Sequence, residues 1–195
     1  MSTKLKIAAA VAAAVLLSAC SSPKHEPMPL VRFTPSMEVT EVWSKGLSSA
    51  EGFLVPAVYD DMVFAAGGKT LTRLNARTGE TEWSVSFDSP ITGGVGSDGY
   101  VTAVGLWDGN LEVVDAEGKV SWEKKLTTEL ASPPVVSHGL VIARTMDTRV
   151  SAFEASSGEL QWTYQRSQPA LTVRLPTRML AHDNFLLVGQ PNGHI

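Results

Sequence analysis

Two glycine stretches have the residue types that hold phosphate groups in nucleotide-binding proteins. Gly94, Gly96 and Gly99 satisfy the pattern G-x-G-x-x-G. That pattern binds a dinucleotide when a helix follows it, but the apolar run from Tyr100 to Val104 predicts a strand instead. Residues 67–70, Gly-Gly-Lys-Thr, match the end of a P-loop but lack its first glycine, so they predict a hairpin turn. We therefore expect no phosphate site.

Side chains that could bind a metal or act as a nucleophile are scattered along the chain. The four histidines, His25, His138, His182 and His194, show no metal-ligand spacing. No G-x-S-x-G elbow presents a serine. The sequence therefore predicts no catalytic residue, no metal site and no cofactor, and the protein is not expected to be an enzyme.

The single cysteine, Cys20, has a context that indicates lipid attachment. Two lysines near the start precede the apolar run from Ile7 to Leu17, which is the pattern of a secretory signal peptide. The sequence Leu-Ser-Ala-Cys that ends at Cys20 resembles the bacterial lipobox, whose cysteine takes a diacylglyceryl group and becomes the mature N-terminus. The alternative is an ordinary signal peptide with a chance cysteine. We predict a lipoprotein signal peptide over residues 1–19.

Residues 20–38 are predicted to be the lipidated N-terminus and an extended tether. They contain four prolines and no periodic apolar pattern. Serine follows the cysteine, where aspartate would indicate retention in the inner membrane. By resemblance to that sorting rule, Ser21 predicts a lipid anchor in the outer membrane, with the protein at the periplasmic face.

The charge balance argues against nucleic acid as a partner. The net charge is −4, charged residues make up 18% of the chain, and no basic cluster is present. Nucleic-acid binding needs a concentrated positive surface.

The clearest pattern in the remaining sequence is the regular spacing of four tryptophans. Trp43, Trp83, Trp122 and Trp162 are 40, 39 and 40 residues apart. A repeat of about 40 residues is the length of a four-stranded propeller blade. We therefore predict an all-β fold, a β-propeller that occupies residues 39–195 with about four blades in this chain.

Turn signals and strand-like runs recur within each copy. Gly79, Gly118 and Gly158 each lie four residues before a tryptophan and follow polar residues, which indicates hairpin turns. Further upstream are apolar runs bounded by turn residues, as at 62–66 and 140–143. Each copy is expected to form about four short strands.

The repeated tryptophans are expected to be structural. A single blade has two apolar faces, so a large flat side chain at a fixed position can wedge between neighbouring sheets. Burial of such an aromatic stabilises a protein by roughly 3–5 kcal/mol relative to alanine. We favour this interpretation over ligand stacking for all four tryptophans.

The last copy of the repeat is incomplete. Residues 191–195 match the position of Trp107 to Leu111, so the sequence stops inside a blade. A propeller protects its edges by closing into a ring. We therefore expect the complete protein to contain further repeats.

The segment from Asp98 to Trp122 resembles the repeats named after pyrroloquinoline quinone (PQQ). With a lipobox ahead of it, the chain resembles the BamB family of lipoproteins, which belong to the machinery that inserts β-barrel proteins into the bacterial outer membrane. The resemblance implies an eight-bladed propeller without catalysis, docked on the periplasmic domains of BamA and assisting unfolded outer-membrane protein precursors.

The segment after the fourth tryptophan is five residues longer than its counterpart after Trp122. It combines apolar residues with an arginine, as protein interfaces do. The resemblance implies that Leu171, Val173 and Arg174 take the places of the family's Leu-x-Leu-Arg stretch, which contacts BamA. Leu175 departs from the glycine common in the family. The alternative is that these residues form a strand of the next blade.

Two other functions fit the same fold. The first is a periplasmic quinoprotein dehydrogenase, because PQQ-like repeats also build those enzymes. The second is a propeller lipoprotein of another envelope complex.

Overall fold

The computed structural model describes residues 28, 30, 36–48, 54–166 and 177–190. The chain divides into two compact units, Met1–Thr40 and Glu41–Ile195. The described residues of the first unit contain no helix or strand. Cys20, Leu171, Val173 and Arg174 lie outside the described residues.

The described part of the second unit consists of short strands joined by turns. The strands are β1 (Ala57–Tyr59), β2 (Met62–Gly67), β3 (Thr70–Asn75), β4 (Thr81–Ser86), β5 (Ile91–Ser97), β6 (Thr102–Leu106), β7 (Asn110–Val114), β8 (Val120–Lys125), β9 (Val135–Ser137), β10 (Leu140–Arg144), β11 (Arg149–Glu154), β12 (Leu160–Gln165), β13 (Leu180–His182) and β14 (Phe185–Leu187). No helix occurs in the described ranges, so none there could cross a bilayer.

The strands form sheets in the order in which they follow one another along the chain. β1–β4, β5–β8 and β9–β12 each make a four-stranded antiparallel sheet, here called the first, second and third sheets. β13 and β14 form a further hairpin. The predicted all-β fold of four-stranded blades is confirmed, with three complete sheets and the start of a fourth in the described residues.

The turns between the third and fourth strands of each sheet explain the repeated glycines. Gly79, Gly118 and Gly158 have φ of 72°, 80° and 70°, a left-handed conformation in which a side chain is strained. The Asn75 side chain accepts hydrogen bonds from two backbone amides of its turn, and Asp115 does the same in the second sheet. Local sequence thus fixes the position of each reversal.

Apolar side chains fill the spaces between successive sheets. Phe64, Leu71, Ile91, Val104 and Leu106 belong to the cluster between the first and second sheets. Separate clusters lie between the second and third sheets and between the third sheet and the β13–β14 hairpin. The sheets therefore stack face to face in chain order.

Candidate interaction site

Three of the repeated tryptophans each bond to a turn of the sheet that follows them in the chain. The indole N–H of Trp43 donates to the Ala76 carbonyl at 2.9 Å, and Trp122 donates to the Ala155 carbonyl at 2.8 Å. Trp83 makes the same bond to Ala116. Donor and acceptor are 33 residues apart in every case. One geometry is thus repeated along the stack.

The same rings lie directly against the turn glycines. A Cβ added to Gly79 would lie 2.6 Å from Trp43 Cδ2, and one added to Gly158 would lie 2.7 Å from Trp122 Cδ2. Such distances are too short for a real side chain. Each turn glycine therefore supplies both the left-handed backbone and the space that the preceding tryptophan of the repeat occupies.

Trp162 has a different environment in the described residues. It is 38% exposed, and no hydrogen bond to its indole N–H is formed there. Together with Tyr164, Leu186 and Val188 it lines an open cavity of about 300 Å³. Its ring thus presents apolar surface beside the β13–β14 hairpin.

The glycines of the G-x-G-x-x-G pattern serve sheet packing. A Cβ on Gly96 would collide with the Pro134 carbonyl oxygen, and one on Gly94 would lie 2.7 Å from Pro133 Cγ. Gly99 has φ of 88° and lies in the β5–β6 turn. Gly94 and Gly96 allow the segment that precedes β9 to approach β5 closely, a contact that spacing alone did not predict.

The histidines do not converge in the described residues. His138 lies in the turn before β10 with φ of 52° and bonds Ser137, while His182 ends β13 beside Asp183. His25 and His194 lie outside the described ranges. Within those ranges, no three His, Cys, Asp or Glu side chains are grouped to hold a metal.

A carboxyl pair occupies a position where the other sheets have hydroxyl pairs. Glu112 on β7 lies opposite Glu123 on β8. The corresponding pairs are Thr72 with Ser84, 3.1 Å apart, and Ser151 with Thr163, 3.2 Å apart. Two carboxyl groups can share a hydrogen bond only when one is protonated.

Glu112 is the member of the pair whose pKa is raised. It is 7% exposed, and its pKa is raised to about 7, chiefly by desolvation and then by the charge and hydrogen bond of Glu123 and the charges of Asp108 and Asp88. Sequence reasoning missed the pair, because a register shift between Val113 and Val114 is what places the two glutamates opposite each other.

The connector between β12 and β13, residues 166–179, contains the three predicted contact residues. It has fourteen residues, whereas the connector between β8 and β9 has nine. β13 begins at Leu180, so the first strand of the β13–β14 hairpin follows the predicted contact residues in the chain. Two described residues of this long connector, Arg166 and Thr177, bond to side chains of the third sheet.

Comparison with known proteins identifies a family. The family model described as "Outer membrane protein assembly factor BamB" matches residues 67–195. The protein of that name from Burkholderia pseudomallei is 37% identical over 191 residues, which cover 95% of this chain and 50% of the relative. The one from Bordetella pertussis is 33% identical over 186 residues, covering 92% of this chain and 48% of the relative.

A solved structure agrees with these sequence matches. The crystal structure of BamB from Moraxella catarrhalis superposes with a TM-score of 0.64 at 27% identity, covering 72% of this chain and 43% of that chain. The chain spans about half the length of the curated relatives that it matches.

Proposed function

Because this chain belongs to the BamB family of outer membrane protein assembly factors, we propose that it acts as a scaffold in β-barrel assembly, without catalysing a reaction. In this role it binds the periplasmic domains of BamA and assists the insertion of unfolded barrel precursors into the outer membrane. The observation that carries the proposal is the match to BamB across 95% of the chain.

The contact with BamA is assigned to the long connector. Leu171 and Val173 supply apolar area, and Arg174 supplies a guanidinium that can bind a carboxylate through two hydrogen bonds. The extra length of the connector and the bonds of Arg166 and Thr177 to the third sheet support this assignment.

Attachment to the membrane is assigned to Cys20. A diacylglyceryl group on this cysteine holds the protein at the periplasmic face of the outer membrane, and residues 21–38 separate the propeller from the lipid surface. The supporting observations are the signal pattern, the lipobox and the names of the relatives, which associate those proteins with the outer membrane.

Co-purification with BamA tests the proposed contact. Arg174→Glu reverses the charge in the proposed interface, and Arg178→Glu is a matched change four residues further along the same connector. We expect Arg174→Glu to reduce BamA recovered from detergent-extracted envelopes by tenfold or more, roughly the loss of one charged hydrogen-bonded pair. Arg178→Glu should retain most of it. Equal recovery with both variants would contradict the assignment.

A further inference from the structure

A groove of about 250 Å³ opens between the second and third sheets, beside their fourth strands β8 and β12. Buried side chains of β10 and β11, chiefly Ala143 and Phe153, line its inner part. Exposed residues of the two fourth strands, among them Lys124 on β8 and Leu160 on β12, line its rim. The described residues that form this groove therefore all lie between positions 124 and 163.

The groove exists because four positions of the repeat differ between the two successive sheet interfaces. Between the first and second sheets these positions hold large apolar side chains that pack together, namely Val85, Phe87, Val104 and Leu106. Between the second and third sheets the corresponding residues, in the same order, are Lys124, Leu126, Ala143 and Thr145. Each replacement is smaller or more polar, so this interface leaves space where the previous one is packed.

The groove carries positive charge. Lys124, Lys125 and Arg149 line it, and none of its described lining residues is acidic. Lys125 donates to the Asp108 carbonyl. The Nε of Arg149 has no hydrogen-bond partner in the described residues, and the closest carboxylate oxygen, Asp147 Oδ2, is 3.8 Å away, beyond hydrogen-bond distance. Lys124 and Arg149 thus supply a cationic rim in a chain whose net charge is −4.

The size and lining of the groove define what it can hold. Its volume is below the range of about 300–1,000 Å³ that is typical of small-molecule sites, so it accommodates one or two side chains. The buried surface of Ala143 and Phe153 favours an apolar group. The cations at Lys124 and Arg149 favour a carboxylate.

We propose that the groove binds an extended polypeptide segment, which inserts an apolar side chain between the sheets and places the carboxylate of a neighbouring residue against Lys124 and Arg149. Strands of transmembrane barrels alternate apolar and polar residues, so an unfolded barrel precursor supplies such neighbouring pairs. That the segment belongs to a barrel precursor rests on the proposed function.

A photoreactive peptide tests the groove without any other partner. The probe contains a photoreactive phenylalanine analogue followed by glutamate, flanked by glycine and serine, and the control peptide has glutamine in place of glutamate. The full chain in detergent is irradiated with each peptide, and mass spectrometry locates the adducts. We expect adducts at the lining residues of β8, β11 and β12, with about three- to tenfold higher yield from the glutamate probe. No adduct in the groove, or equal yields from both peptides, would overturn the inference.

Lys124→Glu tests the cationic rim. It places a negative charge beside the carboxylate of the probe, so the yield from the glutamate probe should fall by about three- to tenfold. Lys119→Glu is the matched control, because Lys119 is an exposed residue in the turn at the other end of β8. It should keep the wild-type yield. Equal losses in the two variants would contradict a local role for Lys124.

Leu126→Phe tests the apolar part of the groove. It introduces the residue type that the first interface has at Phe87 and fills part of the space. The yield from both peptides should fall by about three- to tenfold, while the unfolding temperature stays the same or rises because more apolar area is buried. Wild-type yields in a folded Leu126→Phe protein would overturn the inference.

A barrel precursor that carries the same photoreactive analogue separates this inference from the proposed function. Adducts of the precursor at the lining residues would support both. Adducts of the glutamate probe in the groove, with none from the unfolded precursor, would support the groove as a peptide site and reject barrel precursors as the source of the segment.

Discussion

The indole N–H of Trp83 donates a hydrogen bond to the carbonyl oxygen of Ala116, 2.9 Å away in the next sheet. The Trp83 ring also lies against Gly118 in the same turn, and Phe64 packs 6.1 Å from it on its own sheet. The Trp83 side chain therefore sets the distance between the first and second sheets and their relative orientation. Trp43 and Trp122 repeat this contact, so the stack is held by one interaction used several times.

Replacing Trp83 with phenylalanine tests the contribution of the hydrogen bond. Most of the apolar area remains, but the half-buried Ala116 carbonyl loses one of its two donors and keeps the bond from Arg73 Nη1. The free energy of unfolding should therefore fall by about 0.5–1.5 kcal/mol. Trp107→Phe is the control, because Trp107 is 59% exposed, and it should change stability by less than about 0.5 kcal/mol. Urea unfolding of both variants measures the difference. Similar losses would show that the indole bond contributes nothing specific.

Alanine substitutions at two glycines separate backbone strain from ring contact. Gly118 has φ of 80° and lies 2.8 Å, measured from an added Cβ, from Trp83 Cδ2. Gly139 has φ of 72°, and no atom lies within 4 Å of an added Cβ. Gly139→Ala should cost only the left-handed strain, about 1–2 kcal/mol. Gly118→Ala should cost about 1–3 kcal/mol more, because the Trp83 ring must move. Equal losses in thermal unfolding would contradict the proposed close contact.

Glu112 predicts that stability depends on pH. Its pKa rises from an ordinary value of 4.5 to about 7 in the folded protein, chiefly because it is desolvated. The folded state therefore holds the proton more tightly than the unfolded state. This contribution is fully present below pH 4.5 and is lost as the pH rises through about 7. Its size is on the order of 1–3 kcal/mol.

The variant Glu112→Gln should remove that dependence, since an amide cannot titrate but can still bond the carboxylate of Glu123. Urea unfolding between pH 4.5 and pH 8 compares it with Glu117→Gln, a change at an exposed turn residue. Wild type and Glu117→Gln should lose stability across this range, while Glu112→Gln stays nearly constant. A pH dependence that survives in Glu112→Gln would reject the protonated pair.

Cys20→Ser tests the proposed anchor. Serine cannot form the thioether that carries the diacylglyceryl group, so labelled palmitate should not be incorporated and the protein should leave the membrane fraction. Ser21→Ala is the control and should remain labelled and membrane-bound. Labelling of Cys20→Ser at the wild-type level would contradict the predicted lipidation site.

The features that could be predicted from sequence are those that each repeat encodes locally. The spacing of Trp83 and Trp122 set the length of a blade, and Gly79 marked a turn because a left-handed backbone favours glycine. These signals act within a few residues of the chain. They recur in every copy of the repeat, so the architecture could be predicted without knowing how the sheets pack against each other.

The features that could not be predicted depend on contacts between distant segments. The closeness of Gly96 to Pro134 follows from how β5 and β9 approach each other. The hydrogen bonds from Arg144 to Thr177 and from Thr148 to Arg166 also join residues far apart in the sequence.

Site-specific photo-crosslinking in living cells tests the proposed contact between the long connector and BamA, because it detects a partner at a chosen residue. A photoreactive phenylalanine analogue is placed at Val173 in the long connector. The control position is Tyr100, which is 74% exposed in the β5–β6 turn, at the other end of the strands. We expect an adduct with the periplasmic domains of BamA from position 173 and none from position 100. No adduct at position 173, or equal adducts at both positions, would contradict it.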